Sequence, residues 1–408
     1  MLRPGHGLIL AVIGLLTFGV VMVNSAGLGI GGDRGIEIRD VLLGRPVLFA
    51  GLALGMLLLG SSIRMDRLYL ARGIKSPALW ITLVSFGLLG LVYVPALGHE
   101  VNGALRWLKV GPVTFQPSEF AKWGVLLVVA WHAARRAGAM GRTFTGFLPP
   151  MILIGGLCAL IAIEDLGTAV LIFGVCVMVL WAAGCRWWQV GSLIPLGAAG
   201  FLAAVIHSPY RIARLESYMN PYADPQGIGY HVIQSMASVS GGGLTGRGLG
   251  NSVHKFGYLP ESTTDFIFAI ICEELGLFGA LMVVALYGVL LLSGLAIVRR
   301  LAHPFPKVFC LGVLFMIACQ ALINIAVVTG AVPAKGIALP LVSSGGSGWL
   351  LTSLAIGMMV SIDRQLAREE AAETERDETR FSSASGAGGP AAGGVALGGR
   401  GPGEWQPG

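Results

Sequence analysis

Apolar runs of about twenty residues recur along this chain, separated by short polar connectors, as far as position 362. A hydrocarbon layer about 30 Å thick is crossed by roughly 20 residues of helix, so runs of this length point to lipid as the solvent. Composition agrees: 54% of residues are hydrophobic and only 12% charged, about half the charge share of a soluble domain. Backbone groups in lipid must be paired within the protein, which leaves helices or closed barrels. The runs lack the apolar/polar alternation of barrel strands, so the chain is expected to be an all-α polytopic membrane protein.

Ten transmembrane helices are expected, near 7–24, 43–60, 78–97, 119–134, 147–163, 168–184, 188–206, 266–298, 307–329 and 345–362. The first is flanked by Arg3 and has no small-residue cleavage site behind it, so it reads as a retained helix. Cytoplasmic loops concentrate Lys and Arg near helix ends. Arg64, Arg67, Arg72 and Lys75 fall in the second connector, Arg135, Arg136 and Arg142 in the fourth, Arg186 in the sixth, and Arg299, Arg300 and Lys307 in the eighth. All are even-numbered, which puts both termini in the cytoplasm and one long loop, between helices 7 and 8, outside. The expected organisation is a membrane domain over 1–365, with its extracytoplasmic loop at about 207–265, and a disordered cytoplasmic tail over 366–408 poor in apolar side chains.

A net charge of +6 follows from this basic inner face and calls for no nucleic-acid partner. The six cysteines, Cys158, Cys176, Cys185, Cys272, Cys310 and Cys319, lie in or beside apolar runs without metal-ligand spacing and are expected to pack. No fixed-period repeat and no mirrored halves of the transporter kind are visible.

Chemistry concentrates in the long outer segment, which carries Arg211, Arg214, Glu216, Asn220, Asp224, His231 and the Gly-rich stretch Gly241 to Gly250, then Asn251-Ser-Val-His-Lys255 and Thr264-Asp265. Glycines allow close approach to a ligand, and Arg247 and Lys255 could meet phosphate charge. A solvated loop with turn glycines accounts for the same composition equally well. Asp265, at the mouth of an apolar helix, suits an N-cap, and the positive helix end would keep its carboxylate ionised and able to accept a proton.

Glu273 and Glu274 lie about 12 to 14 Å further along that helix, where either a direct role or a buried structural pairing is open. The run after Asp265 exceeds one perpendicular span, so it either tilts or stands partly outside the hydrocarbon. Glu119 and Lys122, at i and i+3, can meet on one helix face. Arg106, Trp107 and Lys109 make the third connector basic although it lies outside, and Lys335 is a further outer cation. A pyrophosphate at the outer surface would need such partners; snorkelling to lipid headgroups would also explain them.

The stretch from Gly248 to Ala269, reading Gly-Leu-Gly-Asn-Ser-Val-His-Lys-Phe-Gly-Tyr-Leu-Pro-Glu-Ser-Thr-Thr-Asp-Phe-Ile-Phe-Ala and followed by Glu273-Glu-Leu-Gly276, resembles the signature of the SEDS family. Asn102-Gly-Ala-Leu-Arg-Trp107, Gln116-Pro-Ser-Glu-Phe-Ala-Lys122, Asn220-Pro-Tyr-Ala-Asp-Pro225 and Pro333-Ala-Lys-Gly336 agree in the family's order, and the Gly-Leu-Gly-Asn-Ser form is nearest to the division branch. The resemblance implies a peptidoglycan glycosyltransferase of the bacterial cytoplasmic membrane, at the division septum, polymerising lipid II beside a class B penicillin-binding transpeptidase and other division proteins.

The same resemblance implies that Asp265 is catalytic and that Arg106, Glu119, Lys122 and Lys335 belong to the central cavity or to function. Lys255 and Glu273 complete the expected substrate-binding set. Where the family usually has His, Tyr, Ser and Pro, this chain has Thr263, Ser344, Gly348 and Glu164. No dedicated metal cage is visible, although Mg2+ or Mn2+ could bind through one carboxylate and substrate phosphates. Two rivals remain at this stage, a lipid II flippase and a non-catalytic division scaffold.

Overall fold

The computed structural model describes residues 3–27, 44–71, 73–101, 103–111, 113–227, 229–256 and 258–386. Arg72, Asn102 and Gly257, which figure in the motifs above, and tail positions 387–408 lie outside them.

In chain order the helices are α1 (Pro4–Gly27), α2 (Arg45–Ser62), α3 (Met65–Leu70), α4 (Pro77–Leu91), α5 (Pro117–Arg135), α6 (Leu148–Glu164), α7 (Leu166–Ala182), α8 (Trp187–Gly191), α9 (Leu193–Ile206), α10 (Pro209–Met219), α11 (Tyr230–Gly241), α12 (Ile267–Arg300), α13 (Pro304–Val328) and α14 (Gly346–Gly386). Proline occupies the first turn of α2, α4, α5, α6, α10 and α13, where its missing N–H costs nothing and its fixed φ starts the helix.

Nine of the predicted spans each fall on one of these helices, and 188–206 falls on two, α8 and α9. The chain is a polytopic membrane protein in which seven helical segments, among the described residues, are long and apolar enough to cross a bilayer. They are 4–27, 45–62, 143–164, 187–206, 267–300, 304–328 and 346–376; α4 and α7 are apolar but shorter. Helix α5, of 19 residues, carries Glu119 and Lys122 in its first two turns.

The structure departs from the expected elements in three places. The third connector is a small antiparallel sheet of β1 (Gly98–Val101), β2 (Ala104–Val110) and β3 (Val113–Phe115) in the order β1-β2-β3, so the span expected to reach residue 97 ends as helix at Leu91. Helix α14 continues to Gly386, across positions expected to lose order from 366. That segment is rich in Ala, Glu and Arg, all strong helix formers.

The third departure is in the run after Asp265, which is not one continuous helix: α12 breaks at Gly276, where φ is 63° and ψ is −156°. A break in an apolar helix frees backbone groups that lipid cannot pair. Here the Gly-rich stretch pairs them. The amides of Arg247 and Gly248 donate to the carbonyls of Glu273 and Glu274, both at 2.9 Å, and the amides of Leu277 and Phe278 donate to Gly243 and Leu244 at 3.0 and 3.4 Å. The glycines anticipated for ligand contact are used for this docking instead.

Contacts sort the connectors into two groups. Arg135 of the fourth donates to the carbonyls of Tyr69 and Ala71 in the second, at 2.8 and 3.1 Å, and Tyr69 packs on His303 and Phe305 beside the eighth. Gln189, beside the sixth, donates to Gly141 and Thr143 of the fourth. Arg106 of the third reaches Asp165 of the fifth at 3.4 Å, and Arg214 of the seventh donates to Ala334 of the ninth at 3.2 Å. Even connectors meet one another, and so do the described odd ones.

Candidate active site

Asp265 is held in a tight turn that ends just before α12. The carbonyl of Glu261 accepts the amides of Thr264 and Phe266 at 3.1 and 3.2 Å, and the Glu261 side chain accepts the Thr264 hydroxyl at 2.6 Å. Glu261 itself sits at φ 54°, a left-handed conformation that costs a non-glycine residue about 1 kcal/mol or more. The capping position of α12 is Phe266, with no side-chain cap, so the expected capping role of Asp265 is not what the structure contains.

The backbone carbonyl of Asp265 accepts Asn324 Nδ2 at 2.8 Å, and the same amide group donates to Ile337 at 2.7 Å. Asn324 thereby ties the Asp265 turn to the ninth connector. That connector brings Gly336 so close that a Cβ added there would stand 2.6 Å from Asp265 Oδ2. Burial, reinforced by the negative charge of Glu261 and opposed by Arg106, lifts the Asp265 carboxyl from an ordinary 3.8 to about 7; Asp165 adds to the rise and Arg214 opposes it. The expected fully ionised carboxylate is therefore replaced by one that exchanges its proton near neutrality, a value suited to a general base.

Two cations, Arg106 and Arg214, act on this carboxyl from different elements, and a third, Lys335, acts on its neighbour Asp165. Arg106, on β2, is 30% exposed and pairs with Asp165 at 3.4 Å. Asp165 in turn caps α7 by accepting the Thr168 amide and hydroxyl at 3.0 and 2.9 Å, while Glu164 accepts the Leu105 amide at 2.9 Å and pins the strand. Lys335 is half-buried; burial lowers its ammonium pKa and Asp165 opposes that fall, with Arg211 and Arg214 adding to it. Arg214, on α10, completes the set. A narrow cleft of about 30 Å³ runs beside Arg106, between Leu89, Tyr93, Pro117, Leu160 and Asp165.

The other expected site residues lie elsewhere. Lys255 is buried, its ammonium 3.2 Å from Glu274 Oε1 and 2.6 Å from the Gly250 carbonyl, so it is spent on the fold and not presented to a phosphate. Glu273 is equally buried and accepts the Ser252 hydroxyl at 2.5 Å, the Val253 amide at 3.0 Å and His254 Nδ1 at 3.0 Å. Both side chains, expected to bind substrate, are found docking the loop beside the Gly276 break. Glu119 and Lys122 do pair, at 2.7 Å, and Lys122 also donates to Gln320 at 3.0 Å, whose amide reaches the Ala338 carbonyl at 2.8 Å. Gln320 thereby links them to the ninth connector.

Two departures from the family pattern adjoin: the Ser344 amide donates to the Thr263 carbonyl at 2.9 Å. Gly348 faces Glu119, a Cβ there standing 3.5 Å from Oε2. Sequence reasoning passed over Asp165, Glu261 and Gly336 as site residues. Asp165 had a signal, since Asp165-Leu-Gly-Thr168 opens a helix with a capping residue. Among the described residues no group of three or more His, Cys, Asp or Glu could hold a metal ion.

The "Cell cycle protein" family, which groups FtsW, RodA and SpoVE, matches residues 6–368. Stage V sporulation protein E of Bacillus subtilis (strain 168) is 37% identical over 362 residues, 88% of this chain and 97% of that one. The probable peptidoglycan glycosyltransferase FtsW of Thioalkalivibrio sulfidiphilus is 37% identical over 367 residues, covering 89% and 90%. Among solved structures, a chain of a peptidoglycan synthase complex described as coordinating polymerization and crosslinking superposes with a TM-score of 0.66 at 29% identity, over 86% of this chain and 97% of that one. The rod shape determining protein RodA of Thermus thermophilus shares the fold, with a TM-score of 0.62 at 24% identity over 88% and 96%.

Proposed function

This chain belongs to the FtsW/RodA/SpoVE family of cell cycle proteins, and we propose that it is a peptidoglycan glycosyltransferase of the division type, polymerising lipid II with Asp265 as general base. The observation that carries the base assignment is a largely buried carboxyl whose pKa is raised to about 7, with Arg106 and Arg214 acting on it and Lys335 acting on its neighbour Asp165. Asp265 takes the proton of the acceptor sugar 4-hydroxyl, whose oxygen bonds to the donor anomeric carbon as the bond to undecaprenyl pyrophosphate breaks. The pyrophosphate leaves with the bonding electrons, and one displacement inverts the donor. The cations stabilise the charge that builds on the leaving group. A divalent ion used here would draw its remaining ligands from substrate phosphates.

Ten crossings with both termini cytoplasmic fit the two contact groups of connectors, and the odd group, which holds Asp265, would then face outward. The membrane domain is taken as 1–365, with 366–408 as a cytoplasmic tail. A septal location in the bacterial inner membrane and a crosslinking transpeptidase as partner follow from the same family reading. Purified Asp265→Asn in lipid II vesicles is the test. General-base help is worth about 100-fold to 10,000-fold, so the variant should lose at least that much polymerisation while folding and inserting normally. Normal glycan yield from the Asn variant would refute the assignment, and movement of intact lipid II between leaflets without lengthening would favour a flippase.

A further inference from the structure

Helix α10 is amphipathic in the sense opposite to a soluble surface helix. Three of its polar residues bond to the protein: Arg211 donates to the carbonyls of Ala204 and Ala162 at 3.0 and 3.2 Å, Arg214 to Ala334 at 3.2 Å, and the Tyr218 hydroxyl to Ala331 at 2.9 Å. Its apolar residues Ile212, Leu215 and Met219 point outward, with Met219 77% exposed, and the exposed Glu216 shares that face beside Ile212. Exposed apolar side chains at i, i+3 and i+7 favour an apolar neighbour on this face, with the Glu216 carboxylate at a polar boundary.

The contacts also fix how α10 runs. Ala162 and Ala204 belong to the last turns of α6 and α9, whereas Ala331 and Ala334 follow the end of α13. The helix therefore lies across the ends of membrane-crossing segments and does not extend one of them. Only His207 and Ser208 separate it from α9, whose segment 187–206 is long and apolar enough to cross the bilayer and is almost wholly unburied by protein, so α9 faces lipid.

We propose that α10 is an in-plane interfacial helix, seated at the headgroup boundary of the leaflet at the Asp265 end of the bundle, with Ile212, Leu215 and Met219 in the acyl region. The occupant of its outer face is lipid because that face continues the lipid-facing surface of α9 around a two-residue corner. Its inner face grips the ninth connector, which carries Lys335 and Gly336, so the membrane surface sets the depth at which those groups meet Asp265.

The test is Met219→Cys in the full chain, labelled with bimane and reconstituted into phosphatidylethanolamine/phosphatidylglycerol vesicles, the unsubstituted chain giving the labelling background. Lipids brominated near the headgroup end of the acyl chain should quench the label more strongly than lipids brominated near the terminal methyl, and aqueous iodide should quench it little. Iodide quenching without bromolipid quenching would place the face in water and overturn the proposal. So would protection from both quenchers, or label-to-label energy transfer that falls as protein is diluted in lipid, since each means that protein covers the face. The readout needs no catalytic turnover, so it stands apart from the activity assigned above.

Discussion

The Lys255 ammonium lies 3.2 Å from the Glu274 carboxylate, and neither side chain reaches solvent. Removing one partner of a buried pair strands the other charge, which typically costs about 3–5 kcal/mol. Lys255→Met should therefore lower stability by that order in denaturation of the detergent-solubilised protein. The double variant Lys255→Met/Glu274→Gln should recover most of the loss, because Ser25 and Ser252 can still pair the neutral amide. A Lys255→Met protein of unchanged stability but weakened substrate binding would return Lys255 to the site.

Asp265 makes polymerisation depend on pH in a defined direction. Its folded pKa of about 7 means that the base form grows in as pH rises, so the rate should climb through about pH 7 and level above it. Stability moves oppositely. A carboxyl raised from 3.8 to about 7 holds its proton in the folded state where the unfolded chain has released it; that contribution is full below 3.8 and is lost as pH rises through about 7. Asp265→Asn removes the cost of ionising a buried acid, so its melting temperature relative to the parent should be higher at pH 8 than at pH 5. Thermal melts at the two values check this.

Arg106 and Asp165 divide site from scaffold. Arg106→Ala should cost about 100-fold to 1,000-fold in polymerisation if it steadies the leaving group, but no more than about 1 kcal/mol in stability, because the pair is partly exposed. Asp165→Ala removes the α7 cap as well and should add about 1 kcal/mol of destabilisation, whereas Asp165→Asn keeps an oxygen for the Thr168 amide and should spare it. Equal stability loss for Ala and Asn would exclude the cap.

The membrane helices were legible because a hydrophobic run of span length has few alternative fates, and the cationic connectors because charge is read directly from composition. The β2–β3 hairpin was passed over although Leu108-Lys-Val-Gly-Pro-Val-Thr-Phe115 places a Gly-Pro turn between short strand-prone runs. The fate of Lys255 was not readable at all. A lysine near glycines looks the same whether it meets a phosphate or Glu274, and only the break at Gly276, which folds residues 243–248 against α12, decides between them. The same holds for Asp265: its place beside a helix start was visible, but its proton affinity depends on Glu261, Arg106 and Asp165 converging from three connectors.

Gly336 offers the sharpest probe of that convergence. A methyl group there would stand 2.6 Å from Asp265 Oδ2 and 3.4 Å from its Cγ, well inside van der Waals contact, while the backbone at Gly336 is not in a left-handed conformation that would itself resist alanine. The clash must be relieved by moving either the carboxyl or the ninth connector. The connector is held by Asn324 on the Ile337 carbonyl and by Gln320 on the Ala338 carbonyl, at 2.7 and 2.8 Å, so the carboxyl is the softer element. A displacement of about 1 Å at a reacting group typically costs about 100-fold in rate. Gly336→Ala should therefore lose polymerisation on that scale with a melting temperature close to the parent's, measured on the same preparation. Retained activity would mean that the Asp265 carboxyl does not have to stand where the structure places it for the reaction to proceed.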